Sequence, residues 1–82
     1  MKDNAKAERI LKKIQEHVGG IYRISKRGVP HLVIESYYSV CYFGKNRFLR
    51  VFKGYATPEN GKLIDLKTRE DVIFYLNKIL ER

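Results

Sequence analysis

Residues 20–54 carry the side chains best suited to hold an anion and stack on a flat ring. Seven of the chain's ten aromatic residues lie there: Tyr22, Tyr37, Tyr38, Tyr42, Phe43, Phe48 and Phe52. So do seven basic residues, Arg23, Lys26, Arg27, Lys45, Arg47, Arg50 and Lys53, against one acid, Glu35. This stretch therefore holds +6 of the chain's formal +8. Aromatic rings stack on bases at roughly 1–3 kcal/mol each, and interleaved arginines add charge and cation–π contacts. The candidate nucleic-acid-binding set is Arg23, Lys26, Arg27, Tyr38, Tyr42, Lys45, Arg47, Phe48, Arg50, Phe52 and Lys53. Within it, Lys26-Arg27-Gly28 and Lys45-Asn46-Arg47 read as basic hairpin tips. Turn tips are commonly charged because they are solvated, but two basic tips can also grip phosphates on each side of a groove.

Groups able to do covalent or acid–base chemistry are sparse. Two histidines, His17 and His31, and one cysteine, Cys41, make no metal-ligand spacing. No glycine-rich phosphate loop precedes a helix, and no serine–histidine–acid set is apparent. The reading is a binding protein rather than an enzyme, with no cofactor and no metal. One catalytic alternative is His31 as general acid/base, with Lys26 or Arg27 stabilising developing phosphate charge. Helix, strand, then Lys-Arg-Gly-Val-Pro-His at the start of the second strand is similar in layout to HicA-type toxin ribonucleases, and that likeness implies histidine-dependent RNA cleavage. Their histidine follows a glycine-serine pair, whereas His31 follows Val29-Pro30.

These residues need a scaffold, and 82 residues supply one small domain. A hydrophobic content of 44% is ordinary for a folded chain. A pI near 9.8 points to an anionic partner. A lone cysteine excludes an internal disulfide, and its apolar setting, Val40-Cys41-Tyr42-Phe43, suits a buried thiol. No apolar run approaches the roughly 20 residues that span a bilayer, and the first residues do not read as a signal peptide. The expected location is cytoplasmic, without a membrane partner.

The periodicities predict an α+β fold of order α-β-β-β-(β)-α. An antiparallel meander of three to four strands would carry the N- and C-terminal helices on one face. Residues 4–18 form the first helix, with Asn4 as cap, Ala7, Ile10, Leu11, Ile14 and Val18 as apolar stripe, and Gly19-Gly20 as stop. Lys6, Arg9 and Lys13 flank that stripe and suit a solvated face. Ile21–Ser25 is a strand. Residues 31–43 are either one long bent strand or two with a break near Ser36. Arg47–Lys53 follows, then a loop over 54–62 and a short edge strand over Leu63–Leu66. Thr68 caps a last helix over 69–80, with Asp71 three residues on. Its buried stripe is Val72, Ile73, Tyr75, Leu76, Ile79 and Leu80, and Phe74 lies opposite.

With both helices on one face, the other sheet face stays open. If Leu49 and Val51 face the helices, Phe48, Arg50 and Phe52 face outward, and Arg23, Tyr38 and Tyr42 can join them. Burial of Phe48 and Phe52 in the core is the competing arrangement. The α-β-β-β-α order resembles double-stranded-RNA-binding domains in layout, although Leu66-Lys67-Thr68-Arg69-Glu70-Asp71 lacks their lysine-rich helix start. The run Ile21–Leu76 is also similar to the three-strands-plus-helix DNA-binding domains whose sheet enters the major groove. The expected partner is nucleic acid, with DNA favoured over RNA. An acidic protein docked by an inhibitor or accessory module is the alternative, and a second copy of this chain is a further candidate.

Overall fold

The computed structural model describes residues 2–45, 47–53 and 61–81, with the side chains of residues 2–4 left aside. Helix α1 spans Lys2–Val18. Among the described residues five strands follow: β1 Ile21–Ile24, β2 Pro30–Ile34, β3 Tyr38–Phe43, β4 Phe48–Lys53 and β5 Lys62–Leu66. Helix α2, Arg69–Ile79, closes the chain. The strands form one antiparallel sheet in the order β1-β2-β3-β4-β5, and both helices lie on the same face of it. The fold is α+β, as the periodicities predict.

The sheet has five strands rather than three or four because the chain breaks at Glu35-Ser36 and because Lys62–Leu66 does pair with β4. Glu35 and Ser36 have φ of 54° and 57°, and the Tyr37 amide donates to the Ile34 carbonyl at 3.1 Å. Two successive positive φ values with that bond follow the type I′ pattern, whose twist suits a hairpin. Neither Glu nor Ser favours the left-handed region. Replacing Ser36 by Gly should therefore raise stability by roughly 0.5–1 kcal/mol, after allowing for the extra freedom glycine brings to the unfolded chain. A thermal melt reads this as a rise of a few degrees; an unchanged or lower midpoint rejects it.

The core is built from one parity of each strand. Leu32, Ile34, Val40, Leu49 and Val51 are buried against Leu11, Ile14 and Val18 of α1 and Val72 and Leu76 of α2. Tyr22, Tyr38, Tyr42, Ile64 and Leu66 complete this face as half-buried neighbours. The cross-strand pairs Leu32–Val40, Val40–Val51 and Val51–Ile64 keep the apolar side chains in one layer. A register shift at Val51/Phe52 leaves Leu63 as the extra residue of a bulge in β5.

Helix α1 begins at Lys2, so Asn4 lies inside its first turn rather than at its cap. The helix ends where Gly19 and Gly20 both take positive φ, at 83° and 105°. The Gln15 side-chain amide donates to the Gly20 carbonyl at 2.9 Å and fixes the reversal into β1. Thr68 Oγ1 accepts from the Asp71 amide at 3.1 Å, so the expected cap of α2 is in place. Phe74 is 74% exposed on the far side of that helix. Most of the loop expected over 54–62 lies outside the described residues, as does Asn46 in the β3–β4 turn.

Candidate nucleic-acid interface

Strand parity sorts the expected residues onto two faces. The outward face carries the cross-strand row Arg23–His31–Cys41–Arg50–Asp65. Beside it run Ile21–Val33–Ser39–Phe52–Lys62 on one side and Phe43–Phe48 on the other. Leu49 and Val51 face the helices, so Phe48, Arg50 and Phe52 lie opposite them. Tyr38 and Tyr42 do not join this face. They share the parity of Val40, between them in β3, and so lie on the helix side.

The outward face is also less open than expected. Phe52 is only 5% exposed and sits in a buried row with Val33 and Ser39, so it offers no stacking surface. Arg50 is committed as well. Its Nε donates to Asp65 Oδ1 at 2.6 Å and its Nη2 to Oδ2 at 3.1 Å. Its guanidinium carbon lies 5.1 Å from the Phe43 ring centroid and 5.2 Å from that of Phe48. Those two rings stack at 5.0 Å and 16°. The four side chains form one satisfied unit, with the arginine fork on a carboxylate as well as against the rings. Sequence parity placed Arg50 outward, but its partner becomes visible only once β5 takes its register.

Asp65 has a consequence for acid stability. Hydrogen bonds from Arg50, and then from Lys62 at 3.1 Å, hold its carboxyl below the ordinary value of 3.8. A depressed carboxylate adds stability above that ordinary value and loses it as pH falls through the folded-state value. The stability advantage of the wild type over Asp65→Asn should therefore be largest near neutrality and shrink below pH 3.8. Thermal melts of both proteins from pH 7 to pH 3 check this; a pH-independent difference refutes it.

His31 faces the same side, with its Nδ1 3.2 Å from the Val29 carbonyl oxygen. Its cross-strand neighbours are Arg23 and Cys41. Burial pushes the Cys41 thiol up to about 11, against the lowering pull of Arg50, so it is mostly protonated at neutral pH. His17 is remote from this row, on α1, where its Nδ1 lies 3.0 Å from the Lys13 carbonyl oxygen. Among the described residues no group of three or more His, Cys, Asp or Glu side chains could hold a metal ion.

The cations that remain accessible gather at one end of the sheet. In a five-stranded meander the β1–β2 and β3–β4 turns fall at the same end, and β5 delivers the start of α2 there too. Lys26 and Arg27 occupy the first turn, Lys45 and Arg47 the second, and Lys67 and Arg69 flank Thr68. All six are exposed. Gly28, at φ 83°, shapes the first turn, where its amide donates to the Ser25 carbonyl at 2.9 Å. The expected strand over Arg47–Lys53 starts one residue later, so Arg47 lies outside β4 and precedes it with a left-handed φ of 56°. The Phe43–Phe48 pair is the last before the β3–β4 turn and so marks this end on the outward face.

Lys53 lies at the other end, opposite Tyr38, with its ammonium 5.4 Å from the Tyr37 ring centroid. A hydrogen bond with Tyr37 raises its pKa. Lys6 lies over the helix-side ring of Tyr42 at 5.9 Å, whereas Lys13 pairs with Glu16 at 3.6 Å.

Lys67 and Arg69 are absent from the sequence-derived set. The signal available was their sign: cations beside a helix N-terminus oppose the macrodipole, so their presence there calls for another reason. Between them, the β3–β4 turn and α1 lies a cleft of about 280 Å³, lined by Ile10, Tyr42, Arg47, Leu49, Lys67, Arg69 and Glu70. Comparison of the chain with protein-family models, curated proteins and solved structures finds no match. The fifth strand also departs from the α-β-β-β-α order of the double-stranded-RNA-binding layout. No helix is long and apolar enough among the described residues to cross a membrane.

Proposed function

We propose that this protein binds nucleic acid by its phosphate backbone, at the end of the sheet formed by the β1–β2 turn, the β3–β4 turn and the start of α2. The observation that carries the reading is the gathering of Lys26, Arg27, Lys45, Arg47, Lys67 and Arg69 at that one end. The two turns are two strand spacings apart, about 10 Å, which is comparable with the roughly 12 Å width of a DNA major groove. Phosphate contacts position such a protein, and they account for most sequence-independent affinity. Phe43 and Phe48 add an aromatic platform beside the second turn, within reach of bases that leave a strand. The sheet's centre plays a smaller part than composition suggests, because Arg50 is held by Asp65 and Phe52 is buried.

Fluorescence anisotropy with a labelled 20-base-pair DNA duplex and a 20-nucleotide single strand tests this at two salt concentrations. With up to six phosphates neutralised, affinity should fall on the order of 10²–10³-fold between 50 and 200 mM salt. Absence of binding at 50 mM salt overturns the proposal and leaves an acidic protein surface as the partner to pursue.

A further inference from the structure

We propose that the cleft between α1, the β3–β4 turn and the start of α2 is a phosphomonoester site, accepting a nucleotide that ends in a free phosphate. The nucleoside part rests on the reading of the basic end given above; the preference for a dianion does not. The volume, about 280 Å³, is near the lower end of small-molecule pockets, roughly 300–1,000 Å³. Ile10, Leu49 and Tyr42 supply apolar and aromatic surface. Three cations converge on the same space: Arg47, Lys67 and Arg69.

The charges of the lining select the ligand. Glu70, the single acid there, already accepts from Arg69 Nε at 3.2 Å. No carboxylate among the described residues pairs with Arg47 or Lys67. Three cations against one acid leave the lining at +2. A backbone phosphodiester brings one negative charge, whereas a phosphomonoester carries about −1.5 to −2 near neutrality and offers three acceptor oxygens. The monoester is the better match in charge and in number of acceptors. Arginine forks and the lysine ammonium can share those oxygens in charge-assisted bonds. Arg47 takes its place there at a left-handed φ of 56°, a conformation costly to a residue of its type. Strained backbone of this sort clusters at ligand clamps.

The experiment compares one 12-nucleotide DNA sequence in three forms: 5′-phosphorylated, 3′-phosphorylated, and with both ends free of phosphate. One phosphorylated form should bind about 10-fold tighter than the unphosphorylated strand. That advantage should vanish in Lys67→Gln/Arg69→Gln and persist in Lys26→Gln/Arg27→Gln, which should weaken all three forms alike. Equal affinity of the three strands for the wild type, or an advantage that survives Lys67→Gln/Arg69→Gln, overturns an end-binding site. Amide-resolved NMR titration with adenosine 5′-monophosphate and with adenosine separates the two sources of the group. Shifts at Arg47, Lys67 and Arg69 with the monophosphate alone assign the free nucleotide, even if no strand binds and the backbone-binding proposal fails. Neither end preference nor such shifts removes the cleft as a site while leaving backbone binding to stand on its salt dependence.

Discussion

Reversing three charges at the turn end, Lys26→Glu/Arg27→Glu/Lys45→Glu, should weaken binding to a 20-base-pair duplex by at least about 10²-fold at 0.1 M salt. All three side chains are exposed and lie in turns, so the change leaves the core untouched. Each lost phosphate contact should lower the steepness of the salt dependence by about 0.9, so the slope should drop by close to three units. Lys53→Glu is the internal control. It lies in the same cationic segment of the sequence but at the opposite end of the sheet, beside Tyr38. Its affinity should stay within about threefold of wild type, since at 0.1 M salt exposed charges beyond roughly 10 Å are largely screened. A Lys53→Glu loss of about one third of the triple variant's on a logarithmic scale, roughly fivefold against 100-fold, would mean that net charge alone drives binding and that the turn end has no special role. Circular dichroism on both variants separates a binding defect from a folding one.

Gly20→Ala should be the most damaging of the alanine substitutions at Gly19, Gly20, Gly28 and Gly44, costing about 3 kcal/mol or more. The backbone there holds φ at 105°, a region strained for any side chain. An added Cβ would also stand 2.5 Å from the Val33 carbonyl oxygen and 3.1 Å from Ile34 Cγ1. The carbonyl belongs to β2 and cannot turn aside as a flexible side chain would. Relief requires moving the α1–β1 junction away from β2, and with it Val18, from a core in which Ile34 is fully buried. Gly19→Ala makes the contrast. Its φ of 83° is also positive, but nothing lies within 4 Å of an added Cβ. That change should cost only about 1–2 kcal/mol, from backbone strain alone. For a domain of this size 1 kcal/mol moves the melting midpoint by about 4–8 °C, so the two variants should differ by several degrees or more. Similar midpoints would show that α1 docks on β2 less closely than the geometry requires.

The basic character of the turns is legible in Lys26-Arg27-Gly28 and Lys45-Asn46-Arg47, because turn chemistry is local and charges at solvated tips need no partner to be read. Helix α2 is equally legible: Thr68, Asp71 and the spacing of Val72, Leu76 and Ile79 declare a capped amphipathic helix without help from the rest of the chain. The facing of Tyr38 and Tyr42 is not legible in this way. Their β-rich neighbourhood implies a strand, but which face a strand buries depends on pairing across the sheet, and a shift of one residue exchanges the faces. The break at Glu35-Ser36 was also obscure, since neither residue advertises the left-handed turn it makes.

Taken by itself, the chain of amino acids determined its helices, its glycine-marked reversals and the concentration of positive charge between residues 20 and 54, because short-range sterics, periodicity and composition are local. Tertiary structure alone decided that Arg50 would be matched to Asp65, fifteen residues away, and that Phe52 would be buried. It also decided that Arg47, Lys67 and Arg69 would line one cleft. Each of these outcomes depends on the β4–β5 register, the docking of the helices or the common end of the turns. Those are relations between distant segments, and they come into being only when the sheet assembles.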